Sequence, residues 1–281
     1  MHAVTAAIAA PYFRLGALEI GPMTFQGFGL LVGVGFIVGW LIARHFGAKR
    51  EFDPDLYDIA LLVIAPSALV FGHLGQALYH PEKVLEDPLY LLRVTDGIAS
   101  YGGFFGCAAA AWVFARWKGL PFVRFGVPLI LGTVVGFGIG RLGCFGVHDH
   151  VGVLVSEGPA VARSLIGWAA VEFPADDATI KALGATPGLR YDLGLVDAAV
   201  MVILAVGGWA LIRRPERDGV FLAFVCCGYG LLRLAQEPLR IGDTRFSLLG
   251  LDWTPAQYSS VVLIALGVYA WAVLRRGSTA R

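Results

Sequence analysis

The chain has 281 residues, 57% hydrophobic and only 15% charged, where an ordinary soluble domain carries about 25% charge. That balance excludes a disordered chain, and four cysteines without a Cys-x-x-Cys pair exclude a disulfide scaffold or zinc ribbon. A formal net charge of +1 speaks against a general nucleic-acid binder, and 37 glycines point instead to closely packed membrane helices.

In chain order, residues 1–12 are apolar but short and lack a basic leader, so they read as an interfacial segment rather than a cleaved signal peptide. A bilayer-crossing helix needs about 20 mostly apolar residues. Seven stretches fit: 24–46, 56–79, 97–117, 122–140, 193–212, 220–236 and 257–274. The fold class expected is therefore all-α, a polytopic membrane protein of about seven transmembrane helices forming one membrane-embedded domain over residues 1–281.

The connections sort by charge. Arg44, Lys49 and Arg50 follow span 1, and Arg116, Lys118 and Arg124 follow span 3. Arg213, Arg214 and Arg217 follow span 5, and Arg275, Arg276 and Arg281 close the chain. These alternate segments hold 12 Lys/Arg against 6 Asp/Glu. The positive-inside rule puts them in the cytoplasm, with the N-terminus out and the C-terminus in. The outer connections differ. Residues 80–96 are acidic, and about 145–192 form a long, acidic, Gly/Pro-containing stretch, read as an outer arm.

Ionisable side chains inside spans are costly and tend to face the bundle interior. Span 2 contains His73, most simply a packed, hydrogen-bonded residue. Span 3 opens on Asp96-Gly97 and Tyr101-Gly102-Gly103, where Tyr101 is either a poised hydroxyl or an interfacial aromatic. Span 4 ends in Gly140-Arg141-Leu142-Gly143-Cys144, followed by His148-Asp149-His150 and Gly152. Among glycines, Arg141 can offer a bidentate fork to a phosphate; the plainer reading is a snorkelling helix end. His148 and His150 lack a third metal ligand at diagnostic spacing, so no metal is expected. Span 6 carries Tyr229, Arg233, Glu237 and Arg240 at spacings that share one helix face. They form a functional stripe or a structural ion pair.

These segments, in this order, resemble the prolipoprotein diacylglyceryl transferase family over most of the chain. The resemblance rests on Ile20-Gly21-Pro22, Asp87-Pro88-Leu89-Tyr90, Asp96-Gly97, Tyr101-Gly102-Gly103, Gly140-Arg141-Leu142-Gly143, and Gly228-Tyr229-Gly230 with Arg233, Glu237, Arg240 and Asp243, then Gln257 and Ser259. The family's His-Gly-Gly reads Tyr101-Gly102-Gly103 here, and its Asn after Gly-Arg-x-Gly is Cys144. Asp149 stands at a family Glu and Gly152 at the closing Gly. Phe28, His73 and Val196-Asp197 replace a Tyr, an Arg and a Tyr-Glu pair.

The resemblance implies a bacterial inner-membrane, multi-pass enzyme of lipoprotein biogenesis with its active site towards the periplasm. Such an enzyme moves the diacylglyceryl group of phosphatidylglycerol to the lipobox cysteine thiol of a preprolipoprotein, forming a thioether. Its partners are that lipid, the preprolipoprotein signal peptide and membrane lipids, with no nucleic acid and no cofactor. Carried over, Arg141 and Arg233 hold the phosphate, and Glu237 orients Arg233. Tyr229, Arg240, Gly102, Gly103 and Gly152 bind substrate. Tyr101, His148 or Asp149 moves the proton. The alternatives are a related lipid-using transferase with another acceptor, or a non-catalytic lipid-binding or transport protein.

Overall fold

A computed structural model describes residues 9–94, 97–242, 245–248 and 250–279. Of the residues singled out above, 1–8, Asp96, Asp243 and Arg281 lie outside the described residues, as does the Arg276 side chain. The seven expected spans are all helices: α1 Gly27–Ala48, α2 Pro54–Tyr79, α4 Ser100–Trp117, α5 Phe122–Val147, α8 Leu193–Ile212, α9 Asp218–Gln236 and α10 Pro255–Thr279. Among the described residues, six are long and apolar enough to cross a bilayer. The exception is α4. Its 18 residues rise roughly 27 Å, and Ser100, Tyr101, three glycines and Arg116 dilute its apolar run. It packs along α2 as the bundle's seventh long helix. The protein is thus an all-α polytopic membrane protein of seven long helices, six of which, among the described residues, meet that length and composition.

Lipid explains the exterior. Ile37, Leu62, Val206 and Leu266 are each more than half exposed, a pattern that water would penalise and acyl chains do not. Glycine explains the interior. On α1, Gly35 and Gly39 face Gly136 and Gly132 of α5, and a Cβ at Gly39 would stand 2.6 Å from Gly132 O. Backbones at that distance exclude any side chain, as in membrane GxxxG contacts. Glycines of α2 and α4 meet likewise: a Cβ at Gly102 would lie 3.1 Å from the Gly75 Cα. Beside these seams, Leu131, Met201, Leu204, Phe221 and Tyr229 fill the centre between α5, α8 and α9. Tyr57, Phe114 and Phe125 stack in a second cluster.

Span 4 runs past its expected end. The apolar Cys144 and Phe145 carry α5 on to Val147, and His148 closes it in the left-handed conformation at φ +54°. The arm therefore starts at His148, and it is a mixed lobe rather than helix or loop. Strands β3 (Val151–Leu154), β4 (Ala170–Phe173) and β5 (Gly188–Asp192) pair antiparallel in the order β3-β5-β4, with short helices α6 (Ala160–Ile166) and α7 (Ala178–Ala182) between them. Two hairpins, β1–β2 (Ala17–Ile20, Met23–Gln26) and β6–β7 (Phe246–Leu248, Leu251–Trp253), the short α3 (Pro81–Glu86) and four short 3₁₀ turns complete the described elements. The lobe is tied to the bundle where Gly152 bridges Arg240 antiparallel. A Cβ at Gly152 would approach Leu239 O to 2.9 Å, so that junction requires glycine.

Candidate active site

Where α1 and α5 cross on glycines, and α2 and α4 do the same, a cavity of about 560 Å³ opens between the two pairs. Its walls are apolar, including Phe28, Phe36, Trp40, Ile64 and Phe104. Its polar end is formed by Arg141 and Cys144 at the last turns of α5 with Asp149 and His150 just beyond. An apolar chamber with a buried arginine at its polar end matches an amphiphile that carries an anionic head.

Arg141 is 4% exposed, and its guanidinium organises that end. Its Nε lies 3.1 Å from Asp197 Oδ2, in the second turn of α8. Its Nη1 is 2.7 Å from His150 Nε2 and 3.7 Å from Cys144 Sγ, and its Nη2 reaches Tyr229 Oη at 3.5 Å. The Phe137 ring supports it from one face, with the centroid 4.5 Å from Cζ. His150 donates Nδ1–H to Asp149 Oδ1. Burial alone would raise the Asp149 carboxyl, but His150 and Arg141 outweigh it and hold it low. Burial and Arg141 push His150 below the ordinary imidazole value, so its ring is neutral at pH 7.

The second arginine stands behind the first, off the cavity lining. Arg233 Nη1 donates to Gln236 Oε1 at 3.3 Å, and Nη2 is 3.5 Å from Glu237 Oε2. Glu237 Oε1 in turn accepts from Thr254 Oγ1 at 2.6 Å. The helix face holds Tyr229, Arg233 and Glu237 together, but α9 ends at Gln236 and Pro238 forces a single 3₁₀ turn. Arg240 therefore leaves the stripe and joins Gly152 through its backbone. Tyr101 lies beside Tyr229, ring centroids 6.4 Å apart. Its hydroxyl is 2.8 Å from Ser260 Oγ, whose own proton goes to Ala256 O. Tyr101 is thus the donor to Ser260.

Several expected site residues sit elsewhere. His148 points away from the cavity into an aromatic box of Tyr12, Phe13, Phe145 and Phe173. Its Nδ1 meets Asp192 Oδ2 at 2.8 Å and its Nε2 meets Phe13 O at 2.9 Å, so both nitrogens are engaged in structure. Burial raises the Asp192 carboxyl despite His148. Of the two glycines, Gly103 lines the cavity, whereas Gly102 packs against the α2 backbone. Gly152 and Arg240 serve the joint between lobe and bundle. His73 is buried with its nitrogens on Gly97 O and Tyr90 O, at 3.1 and 2.8 Å.

Other residues at the site were not among those expected to bind or catalyse. Asp197 carried a signal, an acid inside an otherwise apolar run, while Ser260 and Thr254 carried none. Cys144, Asp149 and His150 bring donor atoms within 4.8 Å of one another. Both nitrogens of His150 are already engaged, however, and Nε2 faces a guanidinium that would repel a cation.

Fold and site together define a polytopic membrane protein built around an apolar chamber of about 560 Å³ with a buried arginine at its polar end. The family model for prolipoprotein diacylglyceryl transferase matches residues 16–273. The chain is 31% identical over 287 residues to the phosphatidylglycerol–prolipoprotein diacylglyceryl transferase of Paramagnetospirillum magneticum, covering 99% of this chain and 100% of the relative. It is 29% identical over 258 residues to the enzyme of that name from Chromohalobacter salexigens, covering 90% and 89%. It is 28% identical over 273 residues to that of Solidesulfovibrio magneticus, covering 95% and 96%. The chain belongs to the prolipoprotein diacylglyceryl transferase family.

Proposed function

We propose that this protein transfers the diacylglyceryl group of phosphatidylglycerol to the lipobox cysteine thiol of a preprolipoprotein. Its place is the bacterial inner membrane, with the N-terminus and the arm on the periplasmic side. The observation that carries the reading is the chamber that runs from apolar walls on four helices to Arg141. Acyl chains fit the walls, and the phosphate fits the guanidinium fork. The substrate named for the relatives has that shape and charge.

Catalysis by this arrangement is electrostatic. The thiolate attacks the glyceryl carbon that bears the phosphate, and glycerol phosphate leaves. Negative charge gathers on the departing phosphate oxygen, where Arg141 answers it from a desolvated position. Arg233, held by Gln236 and Glu237, stands behind as the second cation. Asp197 and Tyr229 hold Arg141 in place. The signal peptide would reach the chamber laterally, through the surrounding lipid.

Complementation tests the reading. A bacterium depleted of its own transferase should grow and lipidate its lipoproteins when it expresses this chain. Well-expressed protein that leaves the lipoproteins unmodified overturns it.

A further inference from the structure

Three side chains at the polar end of the chamber are joined to one another. Asp149 accepts from His150 Nδ1, and Arg141 Nη1 lies 2.7 Å from His150 Nε2. An ionised carboxylate only accepts, and a guanidinium only donates. The tautomer follows: the proton sits on Nδ1, and the Nε2 lone pair accepts from Arg141. That is the arrangement of a general base oriented by an acid, with its basic nitrogen covered. The other ionisable groups facing it are Cys144 on α5, Asp192 at the end of β5, and Arg240 beyond α9. The rival bases are spent elsewhere: the Tyr101 proton goes to Ser260, and His148 Nε2 meets Phe13 O. Arg141 is also the cation that a lipid phosphate would engage, and the two N–H bonds of Nη1 are already directed at His150 Nε2 and Cys144 Sγ, so a phosphate seated on Nη1 must displace one of them.

We infer that His150 is the base that takes the acceptor thiol's proton, and that the lipid phosphate uncovers it by drawing Arg141 away. The inference rests on the transfer reading above. In the step, His150 Nε2 takes the S–H proton, and the thiolate forms a carbon–sulfur bond at the glyceryl carbon. The carbon–oxygen bond to phosphate breaks, and its electron pair leaves on the phosphate oxygen. The proton on His150 then passes to that oxygen, which restores the neutral ring. Asp149 is the positioning residue that keeps Nδ1 protonated. Coupling the two events means that no free thiolate is generated until the lipid is seated.

The test uses the full chain in phosphatidylglycerol nanodiscs, with a lipobox peptide carrying either cysteine or selenocysteine. The wild-type rate with the cysteine peptide should fall at acid pH as His150 protonates. His150→Gln should lose about 10²–10⁴-fold with that peptide and lose the acid limb. The selenocysteine peptide, ionised at neutral pH without help, should recover most of the rate. A variant as fast as wild type, or equally slow with both peptides, overturns the assignment and leaves the transfer reading standing. A wild type inert with both peptides removes the transfer reading itself. Release is read separately, by the ¹⁵N resonance of His150 Nε2. Phosphatidylglycerol alone should shift it, and an unmoved resonance contradicts the release.

Discussion

Arg141 Nε lies 3.1 Å from Asp197 Oδ2, with 5% and 0% of the two side chains exposed. The pair joins the last turns of α5 to the second turn of α8. Removing one partner of a buried ion pair leaves an uncompensated charge, at a cost of about 3–5 kcal/mol. Asp197→Ala should therefore lower the melting temperature markedly. Arg141→Ala with Asp197→Ala should cost less than the sum of the single changes, as a double-mutant cycle of thermal denaturation will read.

A similar pair closes the other end of the bundle. Arg50 donates Nη1 and Nη2 to the two oxygens of Asp218, at 2.7 and 2.6 Å, and Nη2 also reaches Ile212 O at 3.0 Å. It clamps the end of α1 to the start of α9. Lysine cannot reproduce the fork. Arg50→Lys should lower stability in chemical denaturation, and Arg50→Ala should do so by about 3–5 kcal/mol. Topology is unaffected if Lys49 and Arg44 remain, which reporter fusions in the connections can check.

The glycine seam between α1 and α5 makes a sharper distinction. A Cβ at Gly132 collides with the Gly39 backbone, whereas Gly29 and Gly33 have open space beside them. Gly132→Ala should cost about 1–3 kcal/mol as a forced overpacking. Because Gly132 also lines the chamber, the same change should weaken lipid binding. Gly33→Ala should leave both properties near wild type, measured by melting and by lipid retention.

The N-terminal segment is fastened to the lobe by Asp177. Its carboxylate caps α7 at Thr179 N and Ile180 N, at 2.8 and 2.9 Å, and accepts from Tyr12 Oη at 2.8 Å. Burial would raise this carboxyl, but the Ile180 amide, Tyr12 and Arg14 together hold it below its ordinary value. The sign follows. The stabilisation is full above the unfolded carboxyl pKa of about 3.9 and is lost as pH falls through the lower folded value. Melts of wild type and Asp177→Asn should differ by a constant amount from pH 7 to about pH 4, and the gap should close in more acid solution.

How much of this was legible in the sequence varied with the kind of residue. Span 5 was read to the residue, 193–212, because its apolar run has polar ends and an Asp192 cap. Span 4 was cut short at Gly140 because glycines read as a helix end, while in a membrane they mark close packing through to Val147. The lobe's strands, four or five residues each, fell within a stretch read only as polar and long. Arg50 read as a topology marker, and its clamp on Asp218, across 168 residues, left no local pattern. His148 and His150 looked equivalent as flanks of Asp149. The left-handed turn at His148 sends one ring into the lobe and the other towards Arg141, which residue type alone does not encode.

The central claim is that a lipid phosphate seated at Arg141 is displaced by a protein thiol. Mass spectrometry of a lipobox peptide, after incubation with the full chain in phosphatidylglycerol nanodiscs, tests it most directly. The account predicts a diacylglyceryl thioether on the peptide with glycerol phosphate released, and a loss of about 10²–10³-fold in Arg141→Ala. A folded wild-type protein that leaves the peptide unmodified would contradict it, as would an Arg141→Ala variant that works at the wild-type rate.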